Sequence, residues 1–266
     1  MISSSPSLFI CILTLNRRHT LRRLLRGSTL LPGVLAWQSL SGKSASIHVL
    51  DQGSADGTYE WLQAEARRIG PILQPIPLPA GLHNLGCAGG RNYLILPLIA
   101  RYLPDDNIVV FLDDDVRPTS HFWLCKLVEP IERGFADIAG VDGRVIDAQG
   151  MTATADNGSP IDYVSGGWMA VRMKIFNKGL IFDQRFNPNY YEDVDFGLRA
   201  WKQGYRLTAV ANTGLVHEHE QESPEGVQAI HQVLAASRTK FLDKWGAWLG
   251  SRTTYPQFVD QQGSSQ

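Results

Sequence analysis

The chain has 266 residues, of which 44% are hydrophobic and 19% are charged, as in an ordinary globular protein rather than a disordered or fibrous one. This length fits one large domain, or one domain with a short appendage. The formal net charge of -1 gives no general attraction to nucleic acid, which needs an excess of Lys and Arg against the phosphates. We therefore expect no nucleic-acid partner.

The cysteines and the amino-terminal apolar run bear on the cellular compartment. Cys11, Cys87 and Cys125 are scattered without CxxC spacing, which argues against a disulfide framework or a zinc cage and is typical of a reducing compartment. The apolar run at 8–15 lacks a preceding basic stretch, and Asn-Arg-Arg follows it at 16–18, so it does not fit a signal peptide. No uncharged apolar run reaches the ~18 residues that span a bilayer. We expect a cytoplasmic protein.

Short apolar runs alternate with longer amphipathic runs along the chain. The patterns predict strands over 8–15, 47–50, 108–112 and 138–146, and helices over 58–69, 88–102 and 120–133. Such alternation implies crossover connections and a mainly parallel sheet covered by helices on both faces, which is an α/β fold. Ligands bind these sheets beyond the carboxyl ends of the strands.

The remaining segments are less regular. Residues 27–46 predict an irregular segment that includes a loop, and the Gly- and Thr-rich stretch at 150–160 predicts another loop. A strand over 207–216 is interrupted by Asn-Thr-Gly at 212–214. The polar tail after residue 253 is typical of a loose chain end.

Polar residues follow the first two predicted strands. Thr14, Asn16 and Arg17 offer a hydroxyl, an amide and a guanidinium to a ligand, and the planar fork of an arginine suits a phosphate. Asn16 fits a helix N-cap at least as well. Asp51 directly follows the second strand, where its carboxylate can accept a bond from a ribose hydroxyl or a base N–H, although a structural role is equally compatible with that position. The following Gly53–Thr58 stretch predicts a tight turn.

The strongest signal is the acidic triplet after the third strand. Asp113, Asp114 and Asp115 directly follow five apolar residues, a costly position for three like charges unless a cation compensates them. Hard divalent ions such as Mg²⁺ or Mn²⁺ bind carboxylate oxygens and bridge to phosphates. In extended geometry the first and third aspartates share one side. A metal site is favoured over a solvated acidic turn.

A second acidic cluster and a histidine pair lie further along the chain. Two tyrosines lead into Glu192 and Asp193 at the start of a predicted helix. Acids in a first helical turn are ordinary dipole partners, but a carboxylate near a sugar hydroxyl is also what general-base catalysis requires. His217 and His219 follow a strand, where either can supply a nitrogen ligand to the same ion.

Taken together, these motifs resemble the family-two glycosyltransferases of GT-A fold. The resemblance rests on Thr-x-Asn-Arg at 14–17, Asp-x-Gly-Ser-x-Asp-Gly-Thr at 51–58, the Asn-Leu-Gly to Arg-Asn stretch at 84–92, the acidic triplet within 111–118, and the segments 164–168, 182–186 and 192–193. Each motif is weak alone, but their common order over about 8–219 is specific. Gln52 departs from the Asn or Asp usual in the family.

The resemblance implies a role for each matching residue. Thr14, Asn16, Arg17 and Asp51 would hold the nucleoside, Arg91 would lie near the diphosphate or sugar, Asp114 would face the ribose, and Trp168 would lie near the donor sugar and the acceptor. Asp113, Asp115 and His217, with His219 as the alternative, would bind Mg²⁺ or Mn²⁺. Asp193 would be the catalytic base, with Glu192 as the second choice.

The implied organisation is a single GT-A domain over 1–266, with a nucleotide-sugar-binding half at about 8–146, an acceptor half at about 160–219 and a helical appendage at 220–266. The implied reaction is metal-assisted single displacement, with inversion, from a nucleotide-diphosphate sugar to a carbohydrate or lipid-linked hydroxyl. The alternatives are a nucleotidyltransferase, which would be expected to carry a Gly-rich phosphate loop that residues 16–19 lack, and a non-catalytic nucleotide-sugar-binding protein.

The stretch 238–252 mixes Phe, Leu and Trp with basic residues. It can lie on a membrane surface, where a lipid-linked acceptor would be found. Packing of the same aromatic residues on the domain is the favoured alternative.

Overall fold

The computed structural model describes residues 7–101, 103–155, 160–218 and 224–252. In chain order, the elements are β1 (Leu8–Thr14), α1 (Arg18–Arg26), α2 (Leu30–Ser41), β2 (Ala45–Asp51), α3 (Thr58–Ile69), β3 (Leu73–Pro77), α4 (Gly86–Ala100), β4 (Ile108–Leu112), β5 (Val116–Pro118), α5 (Trp123–Glu132), β6 (Ile138–Gly140), β7 (Gly143–Ile146), β8 (Thr152–Thr154), β9 (Tyr163–Val164), β10 (Trp168–Arg172), α6 (Met173–Asn177), a 3-10 turn (Gln184–Phe186), α7 (Glu192–Lys202), β11 (Leu207–Ala209), β12 (Leu215–His217) and α8 (Pro224–Gly250).

The described strands form one large and two small sheets. The large sheet has seven strands in the order β11-β6-β10-β4-β1-β2-β3. Strand β1 pairs in parallel with both β2 and β4, while β10 runs antiparallel to its neighbours β4 and β6. The small sheets are the pair β12-β5 and the three-stranded β8-β7-β9. The predicted α/β fold with a mainly parallel sheet is confirmed.

Strand β1 shows why the sheet is covered on both faces. Alternate side chains of a strand point to opposite faces, and Ile10 and Ile12 join one core cluster while Phe9 and Cys11 join another. The first cluster takes in side chains of α1, α2, α3 and α5, and the second takes in side chains of α4, α6 and α7. The unbroken apolar run from Leu8 to Leu13 in β1 therefore predicts a strand buried between two helical layers.

Two sequence predictions were wrong. The strand predicted over 138–146 is two strands, because the chain leaves the large sheet after Gly140 and β7 pairs with β8 and β9 instead. A Cβ on Gly140 would lie 2.6 Å from Val164 Cβ, a close approach that apolar periodicity does not reveal. The segment 27–46, predicted as irregular, contains the helix α2. Its Pro32 lies in the first turn, where no backbone bond is lost, and Gly33 makes room for the Trp123 ring.

Other boundaries differ less. Strand β8 lies inside the loop predicted over 150–160, and the strand predicted over 207–216 divides into β11 and β12. The predicted tail after 253, and His219, lie outside the described residues.

The carboxyl-terminal helix α8 packs on the domain. Phe241, Trp245 and Leu249 are buried in a third core cluster with Tyr191 and other side chains, and Trp245 is only 6% exposed. These three side chains therefore face inward and pack on the domain, as the favoured alternative for 238–252 predicts, and membrane contact through this stretch stays a prediction. Among the described residues, no helix combines the length and the apolar composition needed to cross a bilayer.

Candidate active site

The sheet topology brings the predicted polar residues to one edge. Strands β4, β1 and β2 are parallel neighbours, so their carboxyl ends meet. A cavity of about 760 Å³ opens beyond these ends. The predicted site residues that line it are Thr14, Arg17, Arg91, Asp113, Asp114, Asp115, Glu192, Asp193 and His217. Residues separated by up to two hundred positions in the chain thus share one cavity.

Asp114, the middle residue of the acidic triplet, contacts two residues at and just after the end of β1. Its carboxylate accepts a hydrogen bond of 2.7 Å from Thr14 Oγ1 and lies 3.1 Å from Arg17 Nε. Burial raises the pKa of Asp114 to about 7, although Arg17 and the Thr14 hydroxyl act in the opposite direction. Arg17 also reaches Asp115, with Nη2 2.9 Å from Oδ2. The end of the first strand therefore holds the middle aspartate in place.

The outer aspartates of the triplet, Asp113 and Asp115, lie within 4 Å of the His217 imidazole. Strand β12 pairs antiparallel with β5, and this register sets His217 opposite Val116. Its Nε2 lies 3.1 Å from Asp115 Oδ1 and 3.8 Å from Asp113 Oδ2. One ligand atom from each of the three residues lies within 4.8 Å of the others. Trp168 supports the imidazole, with its ring 5.5 Å away in an edge arrangement.

The charges and donor types of this group fit a divalent cation. Two carboxylates suit Mg²⁺ or Mn²⁺, and imidazole is a common nitrogen ligand. Hydrogen bonds to Asp113 and Asp115 raise the pKa of His217 to about 9. Burial works to raise the pKa of Asp115, but the hydrogen bond from His217 and the nearby positive charges bring it below its ordinary value. The three side chains thus form an anionic cluster that a cation can compensate.

Arg91 connects the metal-binding group to the second acidic pair. Its Nη1 lies 2.7 Å from Glu192 Oε1 and its Nη2 3.7 Å from Asp113 Oδ1. The guanidinium also faces the rings of Phe111 and Phe182. Arg91 and Glu192 side chains are each 5% exposed. The pair is therefore a buried charge bridge rather than a surface contact.

Asp193 lies beside this bridge at the start of α7. Its Oδ2 accepts a hydrogen bond of 3.0 Å from the backbone N–H of Gly166. Burial raises the pKa of Asp193, against the opposing effects of the Gly166 N–H and of Arg91. Tyr190 and Tyr191 precede it with φ values of 71° and 68°. Two consecutive residues with left-handed backbone are costly, so this turn is a strained support for the acidic pair.

Two glycines link the two acidic centres. Asp113 donates its N–H to the carbonyl of Gly167 at 2.9 Å, while Gly166 donates to Asp193. A Cβ on Gly167 would lie 2.4 Å from Asp113 Oδ2, and one on Gly166 would lie 2.8 Å from Arg91 Nη1. A side chain at either position would therefore displace the Asp113 carboxylate or the Arg91 guanidinium.

Three predicted site residues are not among those that line the cavity. Asn16 has a φ of 53°, and its carboxamide oxygen accepts the Ala55 N–H at 2.7 Å, so it joins the loops after β1 and β2. Asp51 is 4% exposed, and its Oδ2 accepts the Ser54 N–H. Its buried Oδ1 has no hydrogen-bond partner in the described part of the chain, and the same holds for Trp168 Nε1.

The sequence prediction missed several residues that line the cavity. Arg144, Thr152 and Tyr163 come from the small three-stranded sheet, and Ile230 and Leu234 come from α8. A polar residue directly after a predicted strand is the signal that indicates a site residue, and none of these residues has that position. The Gly-Gly at 166–167 is a local signal for this part of the site, because a glycine pair beside a strand predicts a close backbone approach.

The fold is of the α/β class, and the sequence comparison identifies the family. The model of glycosyl transferase family 2 matches residues 9–186. The chain belongs to this glycosyltransferase family, which favours sugar transfer over the nucleotidyl transfer weighed above. No match was found among curated protein sequences.

Solved structures share the GT-A fold at low identity. The mannosyltransferase PcManGT from Pyrobaculum calidifontis, solved with GDP-Man and Mn²⁺, aligns with a TM-score of 0.63 at 15% identity over 96% of this chain and 67% of its own. GalNAc-T7, solved with UDP, GalNAc and Mn²⁺, gives 0.65 at 13% identity over 98% of this chain and 54% of its own. TarS 1-349 of S. aureus, solved with UDP, aligns with a TM-score of 0.57 at 14% identity over 86% of this chain and 64% of its own. The present chain thus spans about half to two thirds of these solved chains.

Proposed function

We propose that the protein transfers a sugar, with inversion, from a nucleoside-diphosphate donor to a hydroxyl of the acceptor. The observation that carries this proposal is the pairing of a candidate cation-binding group with a partly buried carboxylate, that of Asp193, in one cavity. Asp113 and Asp193 are both tied to the same Gly-Gly turn. A leaving diphosphate and an attacking hydroxyl need these two kinds of group on opposite sides of the reacting carbon.

The donor is proposed to bind at the carboxyl ends of β1, β2 and β4. Arg17 lines the cavity, and its guanidinium suits phosphate oxygens. Asp51 is not among the residues that line the cavity, but its buried Oδ1 lacks a hydrogen-bond partner within the described residues, and we assign it to a base N–H or a ribose hydroxyl. Asp114, next to Arg17, is assigned to the ribose. The nucleotides in the similar solved structures, GDP-Man and UDP, support a nucleoside-diphosphate donor.

Asp113, Asp115 and His217 would hold the cation, Mg²⁺ or Mn²⁺, whose positive charge when bound offsets the negative charge that grows on a departing diphosphate. The Mn²⁺ in PcManGT and GalNAc-T7 supports this assignment.

Asp193 is proposed as the general base. Its carboxylate takes the proton of the acceptor hydroxyl as that oxygen bonds to the anomeric carbon, while the bond from this carbon to the diphosphate oxygen breaks. Burial raises the pKa of Asp193, which makes it a stronger proton acceptor. A single displacement of this kind inverts the anomeric carbon. Glu192 is less suited because its carboxylate bonds Arg91 at 2.7 Å.

The acceptor is proposed to enter between the small sheet and α8. Arg144, Thr152 and Tyr163 offer polar groups on one wall of the cavity, and Ile230 and Leu234 offer apolar surface on the other. These walls are compatible with a carbohydrate acceptor and with a lipid-linked one.

The test compares Asp193→Asn with the wild type. The amide keeps the size but cannot take the proton, so turnover should fall by about 10²–10⁴-fold with nearly unchanged nucleotide affinity. The donor is first identified by thermal shift with nucleoside diphosphates and their sugars, with and without Mn²⁺, and turnover is then followed as diphosphate release. Asp243→Asn is the matched control, because Asp243 is exposed on α8.

A second variant separates binding from chemistry. Asp115→Ala removes a cation ligand, so the Mn²⁺-dependent part of nucleotide binding should disappear. Near-normal turnover in Asp193→Asn would refute the base assignment. A wild-type nucleotide affinity that is the same with and without Mn²⁺ would refute the cation site.

A further inference from the structure

Helix α8 holds the segment that precedes the proposed base. Ser237 Oγ donates a hydrogen bond of 2.7 Å to the carbonyl of Asn189, and Lys240 Nζ donates one of 3.1 Å to the carbonyl of Asn187. Ser237 is only 1% exposed, so water does not compete for this bond. These two contacts fix the backbone just before Tyr190.

The same helix also holds the first turn of α7 through Asp195. This carboxylate is fully buried. Its Oδ1 accepts a hydrogen bond of 2.8 Å from Trp245 Nε1 and forms an ion pair with Lys244. Arg199 Nε, on α7 itself, lies 2.7 Å from Oδ2. A buried carboxylate with fully satisfied oxygens has one favoured position, so Asp195 locks α7 against α8.

Between these two attachments lies the strained turn. Tyr190 and Tyr191 both have a left-handed backbone, a state that persists only when the surroundings determine it. Tyr191 stacks near Phe241 of α8, with ring centroids 5.0 Å apart, and its hydroxyl donates to the carbonyl of Gly150 at 2.6 Å. Only Glu192 separates this turn from Asp193, so the turn sets the direction in which the chain enters α7.

We propose that α8 positions the base: Ser237 and Trp245 act as positioning residues that hold Asp193 against the Gly166 N–H. This inference rests on the proposed function for the role of Asp193. Both side chains act through the backbone of the strained turn and through Asp195, and neither is proposed to touch a substrate. Asp195, Ser237 and Trp245 all lie beyond the residues matched by the family model, 9–186.

Trp245→Phe and Ser237→Ala test the proposal, because each removes one donor and keeps most of the packing. A displaced base costs turnover, since an error of about 1 Å in position costs on the order of 10²-fold. We therefore expect kcat to fall about 10- to 100-fold in each variant, while the donor KM and the Mn²⁺-dependent nucleotide Kd change by less than about twofold. Thr239→Ala is the control, because within the described residues its hydroxyl bonds to the Ala235 carbonyl of α8 alone, and the variant should keep wild-type kcat.

A second measurement does not depend on turnover. Amide hydrogen exchange of 189–196 should be faster in Trp245→Phe and Ser237→Ala than in the wild type or Thr239→Ala, with exchange in β1 unchanged. Wild-type protein that transfers no sugar would end the proposed function, and faster exchange confined to 189–196 would still support the positioning contacts. Unchanged exchange there, unchanged kcat in an active enzyme, or equal losses of kcat and nucleotide affinity would overturn the proposal.

Discussion

Replacing Arg91 with methionine removes one partner of the buried charge bridge and keeps a side chain of similar length. Arg91 and Glu192 side chains are each 5% exposed, so solvent screens their attraction little. Breaking such a pair leaves an uncompensated buried charge, which costs about 3–5 kcal/mol of unfolding free energy. At roughly 2–4 °C per kcal/mol for a domain of this size, the melting temperature should fall by about 10 °C.

The pH dependence of this loss has a definite sign. Burial already raises the pKa of Glu192 against the opposing effect of Arg91, and loss of the arginine raises it further. A carboxyl whose folded pKa exceeds its unfolded value binds protons more readily when folded, so stability falls as pH rises from the unfolded pKa of about 4.3 through the folded pKa, which is already about 7 in the wild type. The deficit of Arg91→Met should therefore be smaller at low pH than at neutral pH.

Urea denaturation at several pH values measures the free energy of unfolding of the wild type and of Arg91→Met. The double variant Arg91→Met/Glu192→Leu is measured beside them. Replacing both partners of a buried pair with apolar side chains is often neutral, so the double variant should recover most of the lost stability. A single-variant deficit below about 1 kcal/mol, or a double variant as unstable as the single one, would refute the assignment of a buried charge bridge.

Two further variants test the glycine turn and the loop contact of Asn16. Gly167→Ala sets a Cβ 2.4 Å from the end of the Asp113 side chain, and this carboxylate must rotate away. Calorimetry should therefore find Mn²⁺ binding about 10- to 100-fold weaker, with the fold intact. The control is Gly250→Ala, which has open space around the new Cβ and should bind Mn²⁺ as the wild type does. Asn16 has positive φ, so Asn16→Ala should unfold more readily than Asn16→Gly, by about 1 kcal/mol; equal losses would show that the backbone conformation is not the cause.

The parts of the site that local sequence predicts are those at strand ends. Asp113 to Asp115 follow an apolar strand, and the alternation of strands and helices fixes which end of the sheet they share. The Arg91–Glu192 bridge joins residues 101 positions apart, and no local pattern predicts such a pair. The same limit applies to Ile230 and Leu234, whose approach to the cavity depends on how α8 docks.

The prediction of elements failed where sterics outweigh periodicity. Pro32 and Gly33 are signals for a loop, yet the proline falls in a first helical turn and the glycine faces the Trp123 ring. The run at 138–146 is mostly apolar and reads as one strand, but Gly140 and Gly143 mark the point where the chain changes sheets. Tertiary packing decides both cases, and a sequence window does not contain it.

The Gly166-Gly167 turn has a consequence for how the enzyme can vary. The carbonyl of Gly167 accepts the backbone N–H of Asp113, and the N–H of Gly166 donates to the carboxylate of Asp193, so main-chain geometry ties the two residues together. In the proposed reaction, changes in the surrounding side chains would alter which sugar or acceptor is accepted while the separation of the departing and attacking oxygens is kept. Selectivity and reaction geometry would then be separable in this architecture.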